Sequence, residues 1–182
     1  MHPEIEIPAM TLAIDPSINS LGWAIFQKRD LIVSGTCHSA ADERQFPMNL
    51  RIYFMIETLE CVVRNYVHDA NDFGLHVVIE QSEAWGSAKS MASTQSGTLP
   101  NLHVLIGALL YWGWTRGYAA LVKVTTWKGQ LPKHVTQKRL QEKYERIFQT
   151  NDEADAVGVG DYYVNKVRKF GDNDGDGIKE TE

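Results

Sequence analysis

The sequence predicts an α/β fold on a mixed five-stranded sheet: an antiparallel three-stranded meander, extended by parallel strands and flanked by helices. Three observations carry that prediction. Three short apolar or β-branched runs come first, with only turn-like residues between them. Later runs of the same kind alternate with segments of helical periodicity. Two of the runs end on an acid. With 182 residues the chain is long enough for one domain with a substantial core and short for two. We therefore expect one domain over residues 1–170 and an acidic tail over 171–182.

Residues 11–15 (TLAID) form an apolar run closed by Asp15, and residues 16–21 are turn-like. Residues 22–26 (GWAIF) and 31–37 (LIVSGTC) read as two further strands joined by the polar turn 27–30, which completes the meander. A helix is expected after Pro47, because Leu50, Ile52, Phe54, Ile56, Leu59, Val62, Val63, Tyr66 and Val67 recur near helical spacing. Residues 75–80 (LHVVIE) suit a buried parallel strand, and they too end in an acid, Glu80. Residues 81–100, rich in Ser, Thr, Gly and Ala, read as a long connection. An apolar helix over 101–118, ending near Gly117, is followed by a strand over 119–125 (AALVKVT). A basic amphipathic helix over 132–148 and a last helix from Asp152 to about Lys169 close the order βββαβαβαα.

An apolar share of 43% with 23% charged residues is that of an ordinary globular protein. No apolar run reaches the roughly 20 residues that span a bilayer. The longest, residues 102–114, is interrupted by His103, Gly107 and Gly113, and the N-terminus lacks a signal-peptide pattern. Cys37 and Cys61 have no metal-site spacing and read as small core residues of a reduced protein, so a cytoplasmic location and no membrane are expected. The net charge is −5, but it is unevenly distributed. Between Arg116 and Arg146 eight basic residues face only Glu142 and Glu145, a local balance of about +6. A basic face of this kind suits phosphate, and a solvated helix surface accounts for it equally well.

The acids carry the chemistry. Divalent magnesium or manganese prefers hard oxygen ligands, and two such ions about 4 Å apart assist phosphodiester cleavage. Such a pair needs three or four carboxylates converging from different elements. Asp15 and Glu80 each close a strand, and neighbouring strands would set them side by side. Asp152 and Asp155, three apart at a helix start, share a face, and Ala154 and Ala156 permit close packing on the sheet. Singly, each acid has a structural explanation, as a turn residue or a partner of the helix dipole. Together they point to a metal site, and Glu80 most sharply, because a carboxylate after Val-Val-Ile needs a cation or a donor.

These residues carry a resemblance. Ala13-Ile14-Asp15-Pro16-Ser17 with Asn19-Ser20-Leu21-Gly22-Trp23-Ala24 resembles the first motif of RuvC-type Holliday junction resolvases. Val78-Ile79-Glu80-Gln81 is similar to their second motif, and Asp152-Glu153-Ala154-Asp155-Ala156 to their closing acidic motif. The likeness covers about residues 9–165, and the serine after Asp15-Pro16 resembles bacteriophage members. It implies an RNase H-like fold and a homodimer that makes paired cuts in a four-way DNA junction with two magnesium or manganese ions per site. By the same resemblance Asp15, Glu80, Asp152 and Asp155 would be the metal ligands, with Glu153 an alternative to either final acid. A lysine near the scissile phosphate would be Lys133, with Lys128 next and Lys123 in the same region.

Relatives place an aromatic side chain shortly after the second acid. Here Trp85 stands five residues after Glu80, where it either stacks on a base or packs on its own domain. Lys89, in the small-residue stretch after it, and Lys138 and Arg139, in the basic helix, complete the expected DNA-binding set. The expected apolar helix carries Leu105, Ile106, Leu109, Leu110, Trp112 and Trp114, more than one buried stripe holds, so a dimer interface is expected on its surplus face. The tail residues Asp172-Asn173-Asp174-Gly175-Asp176-Gly177 resemble a calcium loop but lack the EF-hand order, and a disordered tail is expected. A sugar-kinase or actin-like ATPase would require a second lobe and glycine-rich phosphate loops that the sequence lacks. Transposon-associated nucleases embed the same core in longer chains. A junction-binding protein without cleavage is the rival from another class, and the four acids count against it.

Overall fold

The computed structural model describes residues 8–38, 45–67, 74–81, 98–129 and 131–171, of which 166–171 are described as backbone alone. Its strands are β1 (Met10–Pro16), β2 (Ser20–Gln27), β3 (Asp30–His38), β4 (Leu75–Gln81) and β5 (Gly117–Lys123). They form one sheet in the order β3-β2-β1-β4-β5. β1, β2 and β3 pair antiparallel as the expected meander, and β4 lies parallel to both β1 and β5. The helices are α1 (Met48–Tyr66), α2 (Thr98–Thr115), the single turn α3 (Val124–Trp127), α4 (Lys133–Tyr144) and α5 (Asn151–Gly171).

Strand alternation gives the sheet two different faces. Leu12, Ile14, Leu21, Trp23, Ile25, Val77 and Ile79 point to one side, where α1 and α2 cover them with Met55, Leu59, Leu105, Leu109 and Trp112. The opposite side carries smaller residues, Ala13, Ala24 and Val78, with Phe26, and α5 lies on it through Ala154, Ala156, Val157 and Val159. Close approach of α5 is possible only because this face is small. A Cβ on Gly22 would lie 1.9 Å from the Asp152 carbonyl oxygen, and one on Gly160 would lie 2.2 Å from the Phe26 ring. The first turn of α5 therefore rests on β2 beside β1.

Two expected boundaries shift, each for a local reason. β5 stops at Lys123, opposite Gln81, because β4 ends there and a longer strand would have no partner. Val124 and Thr125 turn instead into α3. α4 stops at Tyr144, where Glu145 adopts a left-handed conformation (φ 49°) and its N–H returns to the Gln141 carbonyl. Residues 145–148 then lead Phe148 into the core under α5. Cys37 is buried as expected, whereas Cys61 is exposed on the outer side of α1 and is not a core residue.

One further expectation is narrowed. Arg116 donates to Glu60, which also accepts from the Trp112 indole at 2.7 Å, so this arginine ties α2 to α1 and does not extend the basic face. On α2, Val104, Tyr111 and Trp114 are exposed, Trp114 at 61%. Among the described residues no helix is long and apolar enough to cross a membrane. Trp85, Lys89 and residues 172–182 lie outside the described residues.

Candidate metal centre

β1 and β4 run parallel with Ile14 level with Ile79, so the next residues, Asp15 and Glu80, stand side by side at the strand ends. Alternation turns both toward α5, because Ile14 and Ile79 face the other core. Asp15 lies opposite Gly22 across the antiparallel pair. The glycine that admits α5 is thus the residue that brings Asp152 to Asp15. Asp152 accepts a hydrogen bond from the Ser20 hydroxyl, at the start of β2. Asp155, one turn on, is 6% exposed and accepts from two lysines, Lys128 Nζ at 3.2 Å and Lys133 Nζ at 2.8 Å.

Electrostatics mark the four acids as one group. Burial pushes the Asp15 carboxyl up from 3.8 to about 9, and repulsion from Glu80, Asp155 and Asp152 adds to it. Glu80 is also raised by burial, although hydrogen bonds from Trp127 and Asp15 pull it back. At neutral pH Asp15 therefore keeps its proton and donates it to Glu80. Lys133 is raised, since its bond to Asp155 and the neighbouring acids outweigh its burial. This arrangement has too much negative charge for its burial, and two lysines and one shared proton offset it.

Among the described residues no three Asp, Glu, His or Cys side chains already converge as a metal cage. The donor set nevertheless fits a hard divalent cation: carboxylates from β1, β4 and α5, of which Asp15 and Glu80 are raised chiefly by burial, with no soft ligand among them. A cation would replace the proton of Asp15 and compete with the lysines for Asp155.

Glu153, weighed as an alternative ligand, points elsewhere. It is 3% exposed, accepts from Ser34 Oγ at 2.6 Å and from the Gln149 N–H at 2.7 Å, and its own N–H donates to Thr150 Oγ1 at 3.0 Å. This is a capping box shifted by one residue, anchored on β3. Trp127 is a participant that sequence reasoning missed; its Nε1 donates to Glu80 Oε2 at 2.9 Å. The only available signal was an aromatic residue just beyond a strand end.

The basic segment is more committed than its charge suggests. Lys128 and Lys133 serve Asp155, and Lys143 Nζ lies 2.5 Å from Asp161. Lys138 pairs loosely with Glu142 at 3.8 Å on the exposed side of α4, a contact of little energy. Lys123 and Arg139 are exposed, on β5 and α4. Lys133 joins the two regions: it begins α4, is 45% exposed in its side chain, and touches the acid cluster.

No protein-family model matches the chain, and no curated protein matches it by sequence. Solved structures do. RuvC of Thermus thermophilus in complex with a Holliday junction substrate is 14% identical, with a TM-score of 0.67 over 89% of this chain and 97% of that one. A second Thermus thermophilus RuvC structure gives 0.64 at 14% identity, over 88% and 96%. The yeast mitochondrial Holliday junction resolvase Ydc2 gives 0.63 at 9% identity, over 93% of this chain and 84% of that one. The chain has the RNase H-like fold of the RuvC type, with the five-stranded sheet and flanking helices that its sequence predicts.

Proposed function

We propose that the protein is a structure-selective DNA endonuclease that resolves four-way junctions by paired symmetric nicks, acting as a homodimer with two magnesium or manganese ions per site. The observation that carries this reading is the pairing of Asp15 and Glu80 on parallel strand ends, under Asp152 and Asp155 of α5, with Asp15 raised to about 9. The likeness to a RuvC bound to a Holliday junction substrate supports the choice of substrate. A phage origin and a cytoplasmic setting belong to the same proposal.

Asp15, Glu80, Asp152 and Asp155 would hold the ions, which when bound activate water and steady the leaving oxygen. The chain's own residues do the rest. The α5 face of the sheet orients the carboxylates, and Ser20 and Trp127 fix Asp152 and Glu80. Lys133, released from Asp155, is placed to meet a phosphate oxygen beside the acids, with Lys128 behind it. Lys123, Lys138 and Arg139 would track the backbone.

A second reading, junction binding without cleavage, is favoured by one observation: both lysines hold Asp155, and no metal cage stands ready among the described residues. One assay separates the two. A synthetic four-way junction incubated with the protein and magnesium should acquire paired, symmetric nicks. Binding that persists in EDTA, with no nicks in magnesium or manganese, supports the second reading and rejects the first.

A further inference from the structure

Glu80 needs donors, and beside the Asp15 carboxyl it has one from an element the strand pattern did not announce. β5 ends at Lys123, and the single turn α3 folds the chain back so that Trp127 reaches β4 and Lys128 reaches α5. The Trp127 Nε1 donates to Glu80 Oε2 at 2.9 Å. Its ring occupies a notch in α5 that only glycine leaves open, since a Cβ on Gly158 would lie 2.2 Å from Cζ3 of the indole. Lys128 Nζ sits 5.2 Å from the centre of the same ring while it donates to Asp155. One side chain therefore meets the acid of β4, the helix that carries Asp152 and Asp155, and the lysine held by Asp155.

We infer that Trp127 is a positioning residue for Glu80, acting through its N–H as well as its bulk. The inference rests on the reading of the four acids as a metal centre. A glutamate side chain turns about three torsions, and a free carboxylate at a strand end would sample several orientations. A bond from the indole to one oxygen, with the Asp15 bond to the same carboxylate, selects one of them. Partners of this kind behind a metal ligand typically contribute 10–100-fold in metal affinity. The bulk of the ring has a separate duty, to keep α5 at its distance from β5.

The two duties separate by substitution. Trp127→Phe keeps an aromatic ring and loses the donor. A tryptophan analogue whose indole nitrogen is replaced by sulfur, incorporated at position 127, keeps the whole shape and loses only the N–H. Manganese chloride is titrated calorimetrically into the full-length wild type, both variants and Glu80→Gln. Both variants should bind manganese about 10–100-fold more weakly than the wild type. The sulfur analogue should keep the wild-type melting temperature in EDTA. On a four-way junction it should show a lower kcat with an unchanged KM. Manganese affinity within about twofold of wild type in the sulfur analogue overturns the positioning role and leaves Trp127 as packing. Wild type and Glu80→Gln binding manganese alike rejects the metal centre itself, and the inference with it.

Discussion

Replacing Asp15 by asparagine should stabilise the metal-free protein, although it removes the most deeply perturbed acid of the site. Burial and three neighbouring carboxylates raise Asp15 from 3.8 to about 9. For an acid raised on folding, the stability it contributes is complete below the unfolded value and is lost as pH rises toward the folded one. At pH 7 the folded chain must take up a proton that the unfolded chain has released. Over about three pH units this costs at most about 4 kcal/mol. Asp15 is mostly but not fully buried, and solvent screening on its open side lowers that ceiling to about 2 kcal/mol. Asparagine is neutral in both states and retains a donor toward Glu80. Urea unfolding in EDTA should therefore show Asp15→Asn more stable than wild type by about 2 kcal/mol at pH 7, by less at pH 5, and by more at pH 8.5. Magnesium or manganese should stabilise the wild type and leave the variant nearly unmoved. If Asp15→Asn is equal to or less stable than wild type across that pH range, the carboxylate has a structural duty and the strained-acid reasoning fails.

Other outcomes follow from the same geometry. Asp15→Asn and Glu80→Gln should abolish junction nicking while gel-shift affinity in EDTA is kept, because the proposed phosphate contacts are assigned to the basic segment; loss of folding in both would make the acids structural. Gly22→Ala drives a methyl toward the Asp152 carbonyl, 1.9 Å from the ideal Cβ position, and should cost about 1–3 kcal/mol in urea unfolding as α5 is displaced. Glu153→Gln should lower stability and leave manganese affinity unchanged, whereas Asp152→Asn should weaken manganese binding; the reverse result would exchange their roles. Lys138→Ala and Arg139→Ala should each reduce the salt dependence of junction binding by about one unit of slope, measured by filter binding across a salt series.

Much of this arrangement is legible in the chain because it follows from alternation. Residues 11–15 and 75–80 each place an acid at a strand end, and once β1 and β4 are neighbours their parallel register sets Asp15 beside Glu80. The D-x-x-D spacing at the start of α5 works in the same way, through a helical face. What could not be read arises from contacts distant in sequence. Glu153 sits between Asp152 and Asp155; its spacing from Thr150 is that of a capping box, but only the approach of Ser34 from β3 shows that its other oxygen is also taken. Arg116 belongs by position to a basic run, yet Glu60 of α1 claims it. Trp127 carries no local signal of its role, because nothing near it in sequence reveals the notch at Gly158.

Anomalous scattering from manganese-soaked crystals would show whether four acids from β1, β4 and α5 form one two-ion centre. Two peaks about 4 Å apart are expected, ligated by Asp15, Glu80, Asp152 and Asp155, with Lys133 moved off Asp155. Soaked crystals with no peak at these carboxylates, and both Lys128 and Lys133 still on Asp155, would contradict such a centre.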